Sequence, residues 1–171
     1  MKDLEHRGYH FEAADGSIDL MIRKETGGYE PLFRLESWRV IVEKRANGRV
    51  ETEATIKIWV GGERYVRTAE GNGPVNALDR ALRAAIGERY PHLRDIELVN
   101  FKVRILDETK GTGAVTRVLL DASDGSDTWG SIGVSENIIE ASWEALVGSL
   151  EAGMLPWRAQ HSRQRSAARV S

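Results

Sequence analysis

The chain has 171 residues, a little more than one domain at ~150 residues each, and with 41% hydrophobic and 29% charged residues it reads as an ordinary globular protein with a real core. No apolar run approaches the ~18–20 residues of a membrane helix, and the absence of cysteine excludes disulfides, thiolate zinc sites and a cysteine nucleophile. The net charge of −2 divides unevenly, because Arg158, Arg163, Arg165 and Arg169 follow Pro156 with no acid among them, leaving −6 on the rest, a body without the basic footprint that nucleic acid requires.

Residues 1–30 are expected to form a helical arm. Met1-Lys2-Asp3-Leu4-Glu5 mixes charges without an apolar core, so no secretory signal is expected and the cytoplasm is the expected location. Leu4, Phe11 and Ala14, then Ile18, Leu20, Met21 and Ile22, supply an apolar stripe too small for a domain, and Thr26-Gly27-Gly28 breaks it. His6 and His10 have the i,i+4 spacing of helical metal ligands, but no carboxylate is clearly placed with them, and a solvated face explains them better.

Short strands follow. Phe33 to Glu43 reads as the first, and Asn47-Gly48 as a type I′ hairpin turn. Thr52, Ala54, Ile56, Ile58 and Val60 alternate with Glu51, Glu53, Thr55, Lys57 and Trp59 at a period of two. Gly61-Gly62 turns the chain into a third strand, Arg64 to Ala69. Pro74 suits the first position of a helix whose stripe is Val75, Leu78, Leu82, Ala85 and Ile86, with Asp79, Arg80, Arg83 and Glu88 toward water and Tyr90-Pro91 at its end.

The order then repeats, with strands over Ile96–Leu106, Val115–Asp121 and Thr128–Val134 and a helix capped by Ser135 with a stripe of Ile139, Ser142, Trp143, Leu146, Ser149 and Leu150. An offset of 64 pairs Thr52 with Thr116, Tyr65 with Trp129, Ala77 with Ala141 and Leu82 with Leu146 without a gap. The expectation is an α+β, pseudo-twofold body of two βββα units, repeat 1 about 31–91 and repeat 2 about 95–155, followed by a disordered basic tail at 156–171. Trp38 and Trp59 are expected on outer sheet faces, where a second copy of the chain would cover them.

No His-Glu-x-x-His, Gly-x-Ser-x-Gly or P-loop occurs, and pairs such as Glu51/Glu53 or Asp124/Asp127 read as surface charge, so no catalytic constellation is present. The informative loop is Glu70-Gly71-Asn72-Gly73-Pro74. Two glycines let backbone N–H groups approach a ligand, and a helix N-terminus accepts a carboxylate. A plain strand-to-helix turn needing positive φ explains the same residues. Leu98, Phe101, Val103 and Ile105 on the next strand would give a small branched amino acid an apolar wall, and core packing would account for them equally.

Glu70-Gly71-Asn72-Gly73-Pro74-Val75-Asn76-Ala77 resembles the GNGP-aliphatic-(D/N)-A motif of the regulatory domain of 2-isopropylmalate and citramalate synthases. The resemblance continues through Tyr90-Pro91, Leu98–Ile105, Gly113–Val118 and Trp129–Trp143, covering about residues 30–155, and Asn100-Phe101-Lys102-Val103-Arg104 is closer to the citramalate branch. It implies a homodimer that binds leucine or isoleucine and controls a catalytic TIM barrel, in cis or in trans, that condenses acetyl-CoA with a 2-oxo acid. It places the effector against Gly73, Pro74, Val75 and Asn76, a wall of Leu98, Phe101 and Ile105, and Thr112, Ala114 and Val115. Strict alternation puts Leu98 on the face opposite Phe101 and Ile105, so a bulge or a strand start near Asn100 is required. No cofactor is expected in this chain; the divalent metal and acetyl-CoA belong to the absent barrel. The alternatives are a dimerisation module without effector binding and an RNA-binding domain using the Arg-rich tail.

Overall fold

The computed structural model describes residues 15–170. His6, His10 and the stripe residues Leu4, Phe11 and Ala14 lie outside them. The arm enters as helix α1 (Asp15–Glu25), which ends at a turn where Gly27 takes φ 72°. Strands β1 (Arg34–Lys44), β2 (Val50–Val60) and β3 (Glu63–Gly71) form an antiparallel sheet in that order, followed by helix α2 (Pro74–Ile86). Strands β4 (Glu97–Ile105), β5 (Thr116–Ser123) and β6 (Thr128–Ser135) form a second sheet, followed by helix α3 (Ile138–Val170). The two βββα units expected from the repeat are present.

Alternation explains the first unit. Ala54, Ile56, Ile58 and Val60 face Ala77, Leu78, Ala81, Leu82, Ala85 and Ile86 of α2, and all are buried. The turn between β2 and β3 uses Gly61 and Gly62 at φ 56° and 84°, which is type I′ geometry and needs glycine or asparagine. The turn at Asn47-Gly48 is different from the one expected. Only Gly48 has positive φ, its N–H donates to Arg45 O at 2.9 Å, and Arg45 N–H donates to Arg49 O at 2.8 Å. This is a type I turn closed by a glycine bulge, which the longer loop requires.

The repeat is closer than side-chain matches suggest, with one slip. Helices α2 and α3 begin 64 residues apart, and so do the pairs Thr52↔Gly71 and Thr116↔Ser135. The ungapped offset fails in the first strands, because Glu36 and Val99 are the extra residues of matching bulges and stand 63 apart. Of the two ways alternation left open near Asn100, a bulge or a strand start, the chain uses the bulge, at Val99. It brings Leu98, opposite Ala122, onto the same face as Phe101, opposite Leu120, and Ile105, opposite Thr116.

Three other expectations change. The helix ends at Gly87, whose N–H donates to Arg83 O at 2.8 Å, three residues before Tyr90. Helix α3 is capped by Asn137, not Ser135; Asn137 Oδ1 accepts from Ile139 N–H at 2.9 Å and Glu140 N–H at 3.2 Å, while Ser135 Oγ accepts from Asn137 N–H at 3.1 Å. The backbone of α3 stays helical through the Arg-rich segment to Val170, where composition suggested disorder. Ala, Gln and Arg carry little helix penalty, and the packed helix before them provides the nucleus.

One core joins the halves. Leu82 and Ile86 of α2 share a cluster with Trp143, Leu146, Leu150 and Met154 of α3. Trp38 is on the inner face opposite Ile56 and meets Trp143 at 6.5 Å between ring centroids, so it is not an outer-face residue. Trp59 does lie on the outer face, where its Nε1–H donates to Glu36 at 3.1 Å and the Arg34 guanidinium stands 5.4 Å over its ring. The lead into β1 is held by both halves: Leu32 N–H donates to Glu151 of α3 at 3.4 Å, Tyr90 Oη–H donates to Leu32 O at 2.9 Å, and Tyr29 hydrogen-bonds Glu151.

Candidate functional site

A cleft of about 640 Å³ lies between α2 of the first unit and β4 of the second. Its α2 wall carries Val75, Asn76, Asp79 and Arg83, and its β4 wall Glu97, Leu98, Val99, Asn100 and Phe101, with Ile96 just before that strand, Leu120 between and Arg94 at one end. Four of the sequence-predicted residues therefore line one space: Val75, Asn76, Leu98 and Phe101. Gly73 and Pro74 sit immediately before them, at the start of α2.

The loop reaches this position without positive φ. Gly73 is extended at φ −167° and ψ 179°, and Gly71 is not in the left-handed region either, so the plain-turn explanation of these glycines does not apply. Gly71 is needed for proximity. A Cβ there would stand 2.5 Å from Ala77 N and 2.7 Å from Asn76 Oδ1. Asn76 Oδ1 accepts from Asn72 N–H at 3.1 Å and Arg80 donates to Glu70 O at 3.1 Å, so the loop is folded back onto its own helix. A Cβ at Gly73 would meet nothing within 4 Å.

The N-terminus of α2 is electrostatically bare. No side chain caps it and no acid occupies its first turn. The amides of Val75 and Asn76 belong to the first turn, where no intrahelical acceptor exists, and the helix dipole adds a positive partial charge. In the second half the position matching Gly73 is Asn137, whose side chain takes up the corresponding two amides.

Polar groups flank the apolar wall. Asp79 and Arg83 pair at 2.7 Å, with side chains 15% and 25% exposed, and Arg83 also donates to Leu93 O at 2.6 Å. The space thus combines backbone donors, carboxylates of Asp79 and Glu97, and a wall on which Phe101 is 44% exposed. Such a set can hold a small zwitterion with an aliphatic side chain.

The remaining predicted residues do not line this cleft. Ile105 lies farther along the same face of β4, 56% exposed. Thr112 is exposed in the 3-10 turn Glu108–Gly113, Ala114 is buried, and Val115 O accepts from Leu106 N–H at 2.8 Å. That loop is tied to itself through Asp107, whose carboxyl the Thr109 hydroxyl and Lys110 hold below the usual carboxylate range. Sequence reasoning assigned Asp79 and Arg83 to water and passed over Arg94, Ile96 and Glu97. The signal available was the repeat itself, which sets Gly73 against Asn137 and Asp79 against Trp143.

Among the described residues no group of three or more His, Asp or Glu side chains converges on a metal position, and no helix is long and apolar enough to cross a membrane.

Comparison with known proteins returns one family and a consistent set of relatives. The LeuA allosteric (dimerisation) domain matches residues 12–154. An (R)-citramalate synthase of Streptomyces coelicolor is 52% identical over 163 residues, covering 91% of this chain and 30% of that protein. An (R)-citramalate synthase of Aquifex aeolicus is 46% identical over 151 residues, covering 88% and 29%. A 2-isopropylmalate synthase of Pseudoalteromonas atlantica is 26% identical over 132 residues, covering 75% and 24%. The chain spans less than a third of the length of these relatives.

Proposed function

Because this chain belongs to the LeuA allosteric (dimerisation) domain family, we propose that it is the effector-sensing and dimerising part of a citramalate- or 2-isopropylmalate-synthase system. In this reading it binds isoleucine or leucine in the cleft between α2 and β4. The observation that carries the proposal is the bare N-terminus of α2, with Gly73 where the second half has a capping asparagine, facing Leu98 and Phe101. The ligand carboxylate meets the amides of Val75 and Asn76, Asp79 or Glu97 accepts from its ammonium, and its branched side chain lies on Leu98 and Phe101. Phe101 offers no hydroxyl, so that wall contributes shape alone.

Dimerisation belongs to the same proposal. Val103 and Ile105 continue the wall beyond the cleft, 39% and 56% exposed, and Ile41 and Val66 are exposed on the outer face of the first sheet. A second copy would cover such surfaces and complete the site. The condensation of acetyl-CoA with a 2-oxo acid, with its divalent metal, would be carried out by a barrel in cis or in trans, in the cytoplasm.

The test is calorimetric titration of the chain with isoleucine, then leucine, then valine, alongside sedimentation. Saturable heat with one of them, weakened in Phe101→Ala, is the expected result. A dimeric chain that gives no heat with any of the three refutes effector binding and leaves a dimerisation module.

A further inference from the structure

The two units repeat closely enough that every feature of the cleft has a counterpart. At the offset of 64 that relates α2 to α3, Gly73 corresponds to Asn137, Asp79 to Trp143 and Arg83 to Val147. At the offset of 63 set by the bulges, Phe101 corresponds to Trp38 and Ile96 to Phe33. The counterpart residues meet each other: the Trp143 ring lies 6.0 Å from Phe33 in an edge arrangement and 6.5 Å from Trp38. Trp143 is 6% exposed and belongs to the shared core. Where the first helix leaves space beside Phe101, the second fills it with an indole, and where the first helix start is bare, Asn137 occupies the amides.

We infer that the second half carries a counterpart of the cleft that Trp143 and Asn137 have closed, so that each chain offers one ligand cleft and removal of Trp143 opens a second. The latent site takes a flat apolar ring, because its walls are Phe33, Trp38 and the groove vacated by an indole. That each chain takes one amino acid rests on the proposed function; the latent cavity does not.

The probe is indole, added to the full chain and to its Trp143→Ala and Trp38→Ala variants. Trp38 is only partly buried, so its variant is the milder of the two. Both variants are expected to melt below the parent, and indole at ten times its Kd is expected to raise the melting temperature of Trp143→Ala by about 3–6 °C while leaving the parent unmoved. One indole per chain in the variant, located by crystallography against Phe33, supports the inference. A folded Trp143→Ala chain that takes no indole overturns it; if that variant does not fold, failure of indole to raise the melting temperature of Trp38→Ala, whose lost ring lined the same cleft, overturns it. Isoleucine binding to the parent at two per chain also overturns it. No isoleucine binding at all counts against the proposed function and leaves the indole result to decide the cavity.

Discussion

Replacing Gly73 by asparagine tests the cleft through two effects of opposite sign. The backbone at 73 is extended, a conformation any residue adopts, and a Cβ there meets nothing within 4 Å, so the side chain enters without strain. The second half shows what it would do: Asn137 Oδ1 reaches two amides at 2.9 and 3.2 Å. A cap that replaces glycine contributes a few tenths of a kcal/mol, and the loss of glycine's freedom in the unfolded chain adds roughly 0.4–1 kcal/mol. The melting temperature should therefore rise by about 1–4 °C. The same side chain takes the amides from the ligand. A hydrogen bond to a charged group is worth about 1.5–3 kcal/mol, so loss of one should weaken isoleucine binding by about 10–100-fold. Thermal melts and calorimetry on one preparation read both effects. A Gly73→Asn chain that melts higher and binds as the parent does would refute the helix terminus as the carboxylate site. One that melts several degrees lower would refute the account of the loop.

Gly133→Ala should cost at least ~1–3 kcal/mol in urea denaturation, because its Cβ would lie 1.8 Å from Ala141 O, where the α3 backbone rests on β6. Gly73→Ala is its control and should be near neutral; equal stability of the two variants would sink the argument. Glu36 is held at a pKa of about 2, first by its hydrogen bond from Arg64, against an ordinary 4.5. Its folded pKa is depressed, so its contribution to stability is complete above pH 4.5 and disappears as pH falls through about 2. Carboxyl-carbon NMR should place its midpoint near 2 in the parent and nearer 4.5 in Arg64→Met; a parent midpoint above about 4 would show that the pair does not persist in solution.

Much of the fold could be read from residue order because the determinants are local. The alternation in β2, Pro74 at the first turn of α2 and the apolar stripe of α3 each act within one element, and each was placed within a few residues. The irregularity at Val99 was legible for a stricter reason: Leu98 and Phe101 cannot share a face of one regular strand, so a bulge or a strand start was needed there, and the chain has the bulge. The cleft was only half legible. Val75, Asn76, Leu98 and Phe101 were identified through motif likeness, whereas Asp79 and Arg83 were assigned to solvent because helical periodicity separates an apolar stripe from a polar one and says nothing of a strand some twenty residues away. Trp38 was misplaced for a related reason. Its inward position depends on register with Ile56 and on Trp143, more than a hundred residues downstream. Ser135 looked like the cap because it precedes the helix, but the two residues after it are not helical, and Asn137 is the one next to the first turn.

The shared core also bears on how such a chain is made. Leu32, Trp143 and Met154 belong to one cluster, so the earliest and latest of its members are separated by 122 positions. As the polypeptide leaves the ribosome, the first sheet can receive α2 almost at once, yet Phe33 and Trp38 have no indole to meet until Trp143 has been added. Contacts of such sequence separation form late, after the cost of closing a long loop has been met. The first repeat therefore spends the synthesis of the second with aromatic surface uncovered, and this is the interval in which the nascent chain is most open to pairing with a neighbour of its own kind.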